Sequence, residues 1–356
     1  MRQNLLIGYL GADWWGSDAR ALAGEFRRSG HLLIERHYED HFPTRWRSFA
    51  LKAFRRICRS WMSADYNLAV EELLNVKALD CLVVFKGMLL EATTLEKFCR
   101  NKVPVYCVYP DVSFRDHGSN IWKCVTLYDC LFTTKTFHMD DSELLERAKR
   151  LELVRHGYDP DVHRPVQLRH DLAAFYGSDV AFVGVWSPKK EALIRAIVDQ
   201  LPNVQLKIWG NNWERADSKV QQCWMGRGAY GDEVAAIYCA AKINLGLLSE
   251  AGGGTTSGDR TTARTWQIPG CGAFLLHEDN AEVRQAFRVG EEIGVFADLN
   301  ELPQKIRHYL DQPEQRMSIQ QKGHARSVGE PYSYRAMCDA ILRYHFSMKQ
   351  SSSSAQ

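Results

Sequence analysis

The sequence lacks the motifs that would place it in several large protein classes. It has no Cys-x-x-Cys among its ten cysteines and no apolar run approaching about 18 residues, and Gly8, Gly11 and Gly16 after its first predicted strand do not form a Gly-x-Gly-x-x-Gly. These absences argue against a zinc site, a membrane-spanning helix and a nicotinamide-dependent dehydrogenase, respectively. The net charge of +2 gives no overall preference for nucleic acid, and we expect no nucleic-acid partner. The cysteines are scattered, several of them in apolar runs, so we expect reduced thiols in a cytoplasmic protein.

The chain is long enough for two separate hydrophobic cores. Its 356 residues are 45% hydrophobic and 25% charged, a composition typical of globular domains. The short apolar run at residues 5–10 predicts a first strand rather than a signal peptide. Strands and helices then alternate through residues 1–156, which predicts a parallel α/β sheet. The strands are expected at 5–10, 32–36, 81–85, 103–108, 129–133 and 151–154.

Charged side chains follow three of these strands, at the sheet edge where α/β folds bind ligands. Asp13 and Asp18 follow the first strand and are candidates for a general base. Helix N-capping is the alternative role for Asp18. Lys86 and Asp111 follow two later strands and are candidate contacts to an acceptor substrate.

Residues 45–62 are predicted to form a basic amphipathic helix. One interpretation is that the apolar face packs in the core while the charged face is solvated. The other is contact with anionic lipid or with an acidic acceptor. The charged residues are Arg45, Arg47, Lys52, Arg55, Arg56 and Arg59, and the apolar face comprises Trp46, Phe49, Ala50, Ala53, Phe54, Ile57 and Trp61.

Residues 157–168 are predicted to link two domains because they contain two prolines and little periodicity. Asp159 and Asp161 have the Asp-x-Asp spacing by which some sugar-transferring enzymes chelate a divalent metal. A turn is the alternative in this proline-bounded segment, and we expect no metal site. A second Rossmann-like domain is predicted over 169–330. A helix at 331–348, of a kind that can cross back to the first domain, and a disordered tail at 349–356 follow.

The stretch at residues 252–278 reads GGGTTSGDRTTARTWQIPGCGAFLLHE. It predicts a glycine-rich loop, a helix that begins near Asp259 and is stopped by Pro269 and Gly270, and a buried strand at 273–276. A glycine-rich loop leading into a helix presents free N–H groups and a positive dipole end. The pattern therefore predicts a phosphate-binding site.

Four blocks of the second half together resemble a known family. They are FVGVWSPKKEALIRAI from residue 182, LKIWGNNW from 206, GRGAYGDEVAAIYCAAKINLGLL from 226 and DRTTARTWQIPGCGAFLLHE from 259. As a set they resemble the CgeB-like group of group-1-type glycosyltransferases, as does the linker, whereas the first half matches only in organisation. The resemblance implies the GT-B fold, in which two Rossmann-like domains face a central cleft and the C-terminal domain binds most of the nucleotide sugar.

The resemblance also implies which residues contact the donor. Lys190 and Arg264, with the amides of Thr261 and Thr262, would stabilise a departing diphosphate without a metal or other cofactor. Gly184 lies in the turn before Lys190, and Lys207 is a further candidate. The nucleotide base would lie near Arg227, Gly228 and Tyr230, with Tyr230 or Trp213 available for stacking.

Asp259 and Gln267 occupy the two positions of the E-x7-E pattern found in related GT-B transferases. In that pattern the first carboxylate approaches the sugar and the second holds the ribose hydroxyls. Gln267 stands where the CgeB-like pattern usually has glutamate, and an amide lacks the strength of a charge-assisted hydrogen bond. Glu278 is an alternative ribose or sugar contact.

Three functions follow from these residues. The first is metal-independent transfer of a sugar from a nucleotide sugar to a hydroxyl acceptor, such as a lipid-linked glycan or a protein. An inverting reaction would need a base such as Asp13 or Asp18, whereas a retaining one would not. The alternatives are a nucleotide-sugar epimerase and a non-catalytic nucleotide-sugar-binding protein. The basic segment 45–62 further predicts peripheral contact with the inner face of a membrane.

Overall fold

The computed structural model describes residues 4–42, 49–115, 119–249 and 258–354. The chain divides into two compact units. The N-terminal unit comprises Met1–Arg155 and Tyr334–Gln356, and the C-terminal unit comprises His156–Ser333. Each unit contains one parallel sheet.

The sheet of the N-terminal unit has six strands in the order β2-β1-β3-β4-β5-β6. Alternate residues of β3 belong to two different core clusters: Leu82 and Val84 to one, Cys81 and Val83 to the other. Burial on both faces explains why the central strands β3 and β4 are continuous apolar runs rather than alternating ones. The strands are β1 (Leu6–Leu10), β2 (Leu32–Arg36), β3 (Cys81–Phe85), β4 (Val105–Tyr109), β5 (Cys130–Thr133) and β6 (Leu151–Leu153).

In the described part of residues 4–155, seven helices lie between or beside these strands. Ser17, and not Asp18, is the N-cap of α1, because its Oγ accepts a hydrogen bond from Arg20 N at 3.0 Å. Asp18 is the first helical residue. The helices are α1 (Asp18–Arg28), α2 (Tyr38–His41), α3 (Phe49–Ile57), α4 (Arg59–Glu71), α5 (Ala92–Arg100), α6 (Ser119–Cys124) and α7 (Ser142–Arg147).

The single helix predicted at 45–62 is wrong in extent and in its buried face. Two helices, α3 and α4, meet at Cys58, and residues 43–48 lie outside the described part of the chain. The predicted apolar face is largely in solvent, since Ile57 is 79% exposed and Trp61 69% exposed. The buried face of α4 instead contains Met62, Tyr66 and Val70. Of these three residues, only Met62 lies within the predicted segment.

The sheet of the C-terminal unit has the order β11-β10-β9-β7-β8. Counted from its own first strand this is the order 2-1-3-4-5, which the first five strands of the N-terminal unit share and which is typical of doubly wound folds. The strands are β7 (Ser178–Val183), β8 (Leu206–Trp209), β9 (Ala241–Gly246), β10 (Leu275–Glu278) and β11 (Gly294–Phe296). The helices are α8 (His170–Tyr176), α9 (Pro188–Gln200), α10 (Ser218–Gln221), α11 (Asp232–Ala240), α12 (Ala263–Gly270), α13 (Ala281–Ala286), α14 (Glu301–Asp311) and α15 (Pro313–Gly329).

The sequence predicted that the helix would stop before Pro269. In the structure Pro269 lies inside α12, which ends at Gly270. A proline removes one helical hydrogen bond, and so close to a helix end little is lost. The amide of Cys271 still donates to Gln267 O at 2.9 Å.

The last helix, α16 (Tyr334–Ser354), belongs to the N-terminal unit. Met337, Cys338 and Ile341 are buried in one core cluster with Phe26 of α1. The helix extends past residue 348, where the sequence predicted its end. All ten cysteines are free thiols, as expected. Among the described helices, none combines the length and the apolar character that crossing a membrane requires.

Candidate functional site

The carboxyl ends of β7 and β9 form the topological switch point of the C-terminal unit. These strands are neighbours, but the chain leaves β7 towards β8 and leaves β9 towards β10. Such divergence opens a crevice beyond the strand ends, where open α/β sheets bind their ligands. Two glycines bring the turns after β7 and β8 into contact. A Cβ at Gly210 would lie 1.8 Å from Gly184 O, and one at Gly184 would lie 3.0 Å from a guanidinium nitrogen of Arg264.

We expect Gly210→Ala to lower the free energy of unfolding by about 3 kcal/mol, because the new methyl group cannot be placed without moving backbone. Urea denaturation measures the change. Gly329→Ala is the matched control, since no atom lies within 4 Å of its ideal Cβ and alanine suits a helical position. Equal effects of the two substitutions would contradict the close approach of the two turns.

Lys190 lies in the first turn of α9 and is buried, with 4% of its surface exposed. Its Nζ donates to Ser249 Oγ at 2.9 Å and to Val185 O at 3.2 Å. Lys190 therefore does not lie on an exposed face of this helical turn. Lys189 forms an ion pair with Glu278 at 2.5 Å. Sequence reasoning missed both this pair and Ser249.

Arg264, in the first turn of α12, connects the ends of β7 and β9. Its Nη2 donates to Leu247 O at 2.6 Å and its Nη1 to Val183 O at 3.3 Å. The guanidinium also lies over the ring of Phe182, with Cζ 5.3 Å from the ring centroid. These contacts fix its charge at the switch point in one orientation.

Cations outnumber carboxylates among the charged side chains at this edge. Burial, and then the charge of Arg264, lower the pKa of Lys190 to about 7, while Asp259 and Glu278 act in the opposite direction. Burial also lowers the pKa of the Arg264 guanidinium. Lys189 adds a third cation, so the edge carries more positive than negative charge. An anionic ligand would relieve the repulsion between Lys190 and Arg264.

A chain of hydrogen bonds fixes the start of α12 against β10. Thr262 N donates to Thr265 Oγ1 at 3.0 Å, and Thr265 Oγ1 lies 2.9 Å from His277 Nε2. His277 Nδ1 lies 2.7 Å from Glu278 O, so it carries the proton and Thr265 donates to Nε2. Burial lowers the pKa of His277 to about 4, which keeps the ring neutral.

This chain corrects the role predicted for the Thr262 amide. That N–H is already bonded to Thr265 and is not available to a phosphate. Thr265 stands three residues after the N-cap, the spacing of a capping box, which was the signal in the sequence for this contact. Thr261, immediately before it, is buried.

The segment between β9 and α12 is closed at its base by a hydrogen bond from Asp259 N to Ser249 O at 2.8 Å. The glycines at 252–254 lie outside the described residues. Gln267 is partly buried on α12, one turn after Arg264. Glu278 ends β10, and its Oε1 accepts a hydrogen bond from Leu248 N at 2.6 Å. Glu278 is therefore directed towards the end of β9, beside Lys189 and Lys190.

The structure does not bring Lys207 or Arg227 into this cluster. Lys207 Nζ donates to Phe175 O at 2.6 Å, in the last turn of α8. Because α8 precedes β7, that carbonyl lies near the opposite edge of the sheet. Arg227 forms an ion pair with Glu233, with 2.7 Å between Nη1 and Oε2. Both cations are therefore committed to structural partners.

Tyr230 is the accessible ring near the turn after β8. It is 53% exposed, its hydroxyl accepts from Asn211 Nδ2 at 3.2 Å, and a Cβ at Gly228 would lie 3.2 Å from its ring. Trp213 is fully buried and donates from Nε1 to Gly184 O at 2.8 Å. Of the two rings predicted for stacking, only Tyr230 is accessible to a ligand.

In the N-terminal unit, the predicted acceptor contacts Lys86 and Asp111 form an ion pair at 2.6 Å. They follow the adjacent strands β3 and β4, so the sheet brings their ends together.

The Asp-x-Asp sequence at Asp159 and Asp161 forms a turn in the C-terminal unit. Asp159 Oδ1 accepts a hydrogen bond from Asp161 N at 3.0 Å, as expected for the turn that was the alternative to a metal site.

Asp13 lies beside Glu35 and His37, which sequence reasoning missed. One ligand-type atom from each lies within 4.8 Å of the others. His37 Nδ1 lies 3.0 Å from Gly11 O and must donate to it. Arg20 pairs with Asp13 at 2.7 Å, and Arg27 pairs with Glu35. These cationic partners disfavour a metal ion in the group.

One family model matches the C-terminal half of the chain. Residues 189–343 match the model of the family described as glycosyl transferase-like. No curated protein sequence matches the chain. The family match is broader than the CgeB-like subgroup, which stays a prediction.

Solved structures resemble the whole chain at low sequence identity. Sucrose-phosphate synthase from Thermosynechococcus elongatus has a TM-score of 0.66 and 12% identity, covering 98% of this chain and 100% of that one. Anabaena HepE in complex with UDP and glucose has a TM-score of 0.63 and 11% identity, covering 97% and 100%. A UDP-N-acetylglucosamine 2-epimerase has a TM-score of 0.55 and 11% identity, covering 97% and 98%. These likenesses confirm the predicted α/β fold with two Rossmann-like domains, as in GT-B glycosyltransferases.

Proposed function

We propose that the protein transfers a sugar from a nucleotide-sugar donor to a hydroxyl acceptor. The observation that carries the proposal is the pair of cations, Lys190 and Arg264, held by neutral hydrogen-bond partners at the switch point of the C-terminal unit. A nucleoside diphosphate supplies the negative charge that this pair lacks. HepE, whose structure contains UDP and glucose, supports a nucleotide donor.

The two cations act on the leaving group. When the bond from the anomeric carbon to the diphosphate oxygen breaks, negative charge grows on that oxygen. Lys190 and Arg264 stabilise this charge in a site that is already oriented, so a metal ion is not needed. The new bond forms between the anomeric carbon and the acceptor oxygen, and the acceptor proton passes to a base or to the diphosphate.

The other predicted residues take roles in the same reaction. Asp259 and Glu278 contact the donor sugar or ribose, and Glu278 takes over the carboxylate role that Gln267 cannot fill. Tyr230 stacks on the base. In an inverting reaction Asp13 or Asp18 would be the base, and Lys86 and Asp111 would contact the acceptor. A lipid-linked glycan or a protein would serve as that acceptor.

A screen of nucleotide sugars tests the proposal. At 100 times its Kd a true donor should raise the Tm by roughly 5–10 °C. The same donor should then release its nucleoside diphosphate in proportion to added hydroxyl acceptor. The epimerases among the structural relatives require a control with donor alone. An epimerised product in that control, or stabilisation without turnover for any acceptor, would contradict sugar transfer.

A further inference from the structure

Large apolar side chains form an exposed stripe along α3 and α4. Ile57 is 79% exposed, Trp61 69% and Leu68 61%. Helical hydrogen bonds continue through the junction, because Cys58 N donates to Phe54 O and Met62 N donates to Cys58 O, each at 2.9 Å. The three residues are spaced by four and seven positions, so they lie on one face.

This stripe is not required by the hydrophobic core of the N-terminal unit. Met62, Tyr66 and Val70 bury the other side of α4. Tyr66 and Val70 pack in the same core cluster as Leu82 of β3 and Phe98 of α5. The exposed stripe therefore points away from this core cluster, and an exposed patch of apolar side chains commonly marks an interaction site.

The same segment carries a concentration of positive charge. Between Asp40 and Asp65 the sequence contains six arginines or lysines and no acidic residue, although the whole chain has a net charge of only +2. Arg56 and Arg59 are exposed on these helices. The occupant of the surface must therefore accept apolar side chains and supply negative charge nearby.

We propose that α3 and α4 bind the surface of an anionic membrane, with Ile57, Trp61 and Leu68 entering the headgroup region. A lipid surface offers both components, since its interface accommodates tryptophan and aliphatic side chains while anionic headgroups attract arginine and lysine. A second copy of the chain would bring two basic segments together, which like-charge repulsion opposes. The proposal is independent of sugar transfer.

Sedimentation of the full-length protein with vesicles tests this proposal. Vesicles of phosphatidylcholine alone are compared with vesicles that also contain about one-third phosphatidylserine. Each basic residue near an anionic surface contributes roughly fivefold to partitioning, so Arg56→Glu with Arg59→Glu should weaken binding to the anionic vesicles about 30-fold or more. Ile57→Ser, Trp61→Ser and Leu68→Ser together should weaken it about 100-fold.

A matched control changes three exposed apolar residues of the C-terminal unit. Leu299→Ser, Met317→Ser and Val328→Ser remove side chains that are 47%, 50% and 57% exposed, and together they should leave vesicle binding unchanged. Equal sedimentation of the wild type with neutral and anionic vesicles would overturn the proposal. So would a wild-type dimer, detected by ultracentrifugation without lipid, that the stripe substitutions dissociate, because a second copy would then cover the surface.

Discussion

Replacing Arg264 with alanine should raise the Kd for UDP, or for whichever nucleoside diphosphate stabilises the protein most, by about 100-fold. A hydrogen bond to a charged group contributes roughly 1.5–3 kcal/mol, and loss of one or two such bonds corresponds to this change. The guanidinium is already oriented by Leu247 O and Val183 O, so little ordering is required on binding. Isothermal titration calorimetry measures the affinity directly.

Loss of stability must be separated from loss of affinity in this experiment. Arg264→Ala also leaves two backbone carbonyls without their donor, which lowers the free energy of unfolding. Arg316→Ala is the matched control, because Arg316 is also a buried arginine of the C-terminal unit, and its Nη1 donates to Tyr309 O. It should destabilise the protein while leaving the Kd unchanged. Arg264→Lys should restore only part of the affinity, since an ammonium cannot reproduce the planar fork. Equal effects of Arg264→Ala and Arg316→Ala on the Kd would refute the diphosphate assignment.

The sequence predicted the fold better than the partners of individual side chains. Buried parallel strands are recognisable as short apolar runs, and β3 was predicted at its observed bounds for this reason. Lys190 and Arg264 were predicted as diphosphate contacts from the resemblance of their sequence blocks to the glycosyltransferase family, and the structure places each in the first turn of a helix that follows a central strand. That position depends on local order along the chain, which a sequence reveals.

Contacts between distant residues could not be predicted in this way. Glu278 pairs with Lys189, which is 89 positions away. Lys207 and Arg227 lie in sequence blocks that resemble the glycosyltransferase family. In the structure Lys207 donates to Phe175 O, and Arg227 forms an ion pair with Glu233. The spacing of apolar residues at 45–62 predicted that they share one helical face. Spacing alone does not show whether the core or solvent covers that face. The buried side of α4 is instead set by Tyr66 and Val70, which pack against α5 and the sheet.

Binding of UDP-glucose should weaken with rising pH above 7 and should stay nearly constant below it. Burial and Arg264 lower the pKa of Lys190 to about 7, so above this pH the unliganded site holds a neutral amine. A diphosphate favours the ammonium and raises its pKa, so binding above pH 7 takes up a proton. The Kd should rise by up to about tenfold per pH unit there, and calorimetry in buffers of different ionisation enthalpy should show uptake of about 0.9 proton at pH 8. UDP-glucose is a suitable probe because both of its phosphoryl groups are esterified and keep a constant charge.

The same shift makes the stability of the unliganded protein depend on pH. The folded-state pKa of Lys190 is lowered from 10.5, so between about pH 7 and 10.5 the unfolded chain binds the extra proton. Stability from this group therefore rises with pH across that window, by at most about 1.4 kcal/mol per pH unit, and the full penalty of the buried charge is present below pH 7. Lys190→Met should remove both the proton uptake and this rise in stability. Lys189→Met is the matched control, because Lys189 is paired with Glu278 and its loss leaves the buried amine in place. Proton uptake that persists in Lys190→Met would assign the titration to another group and would remove Lys190 from the diphosphate site.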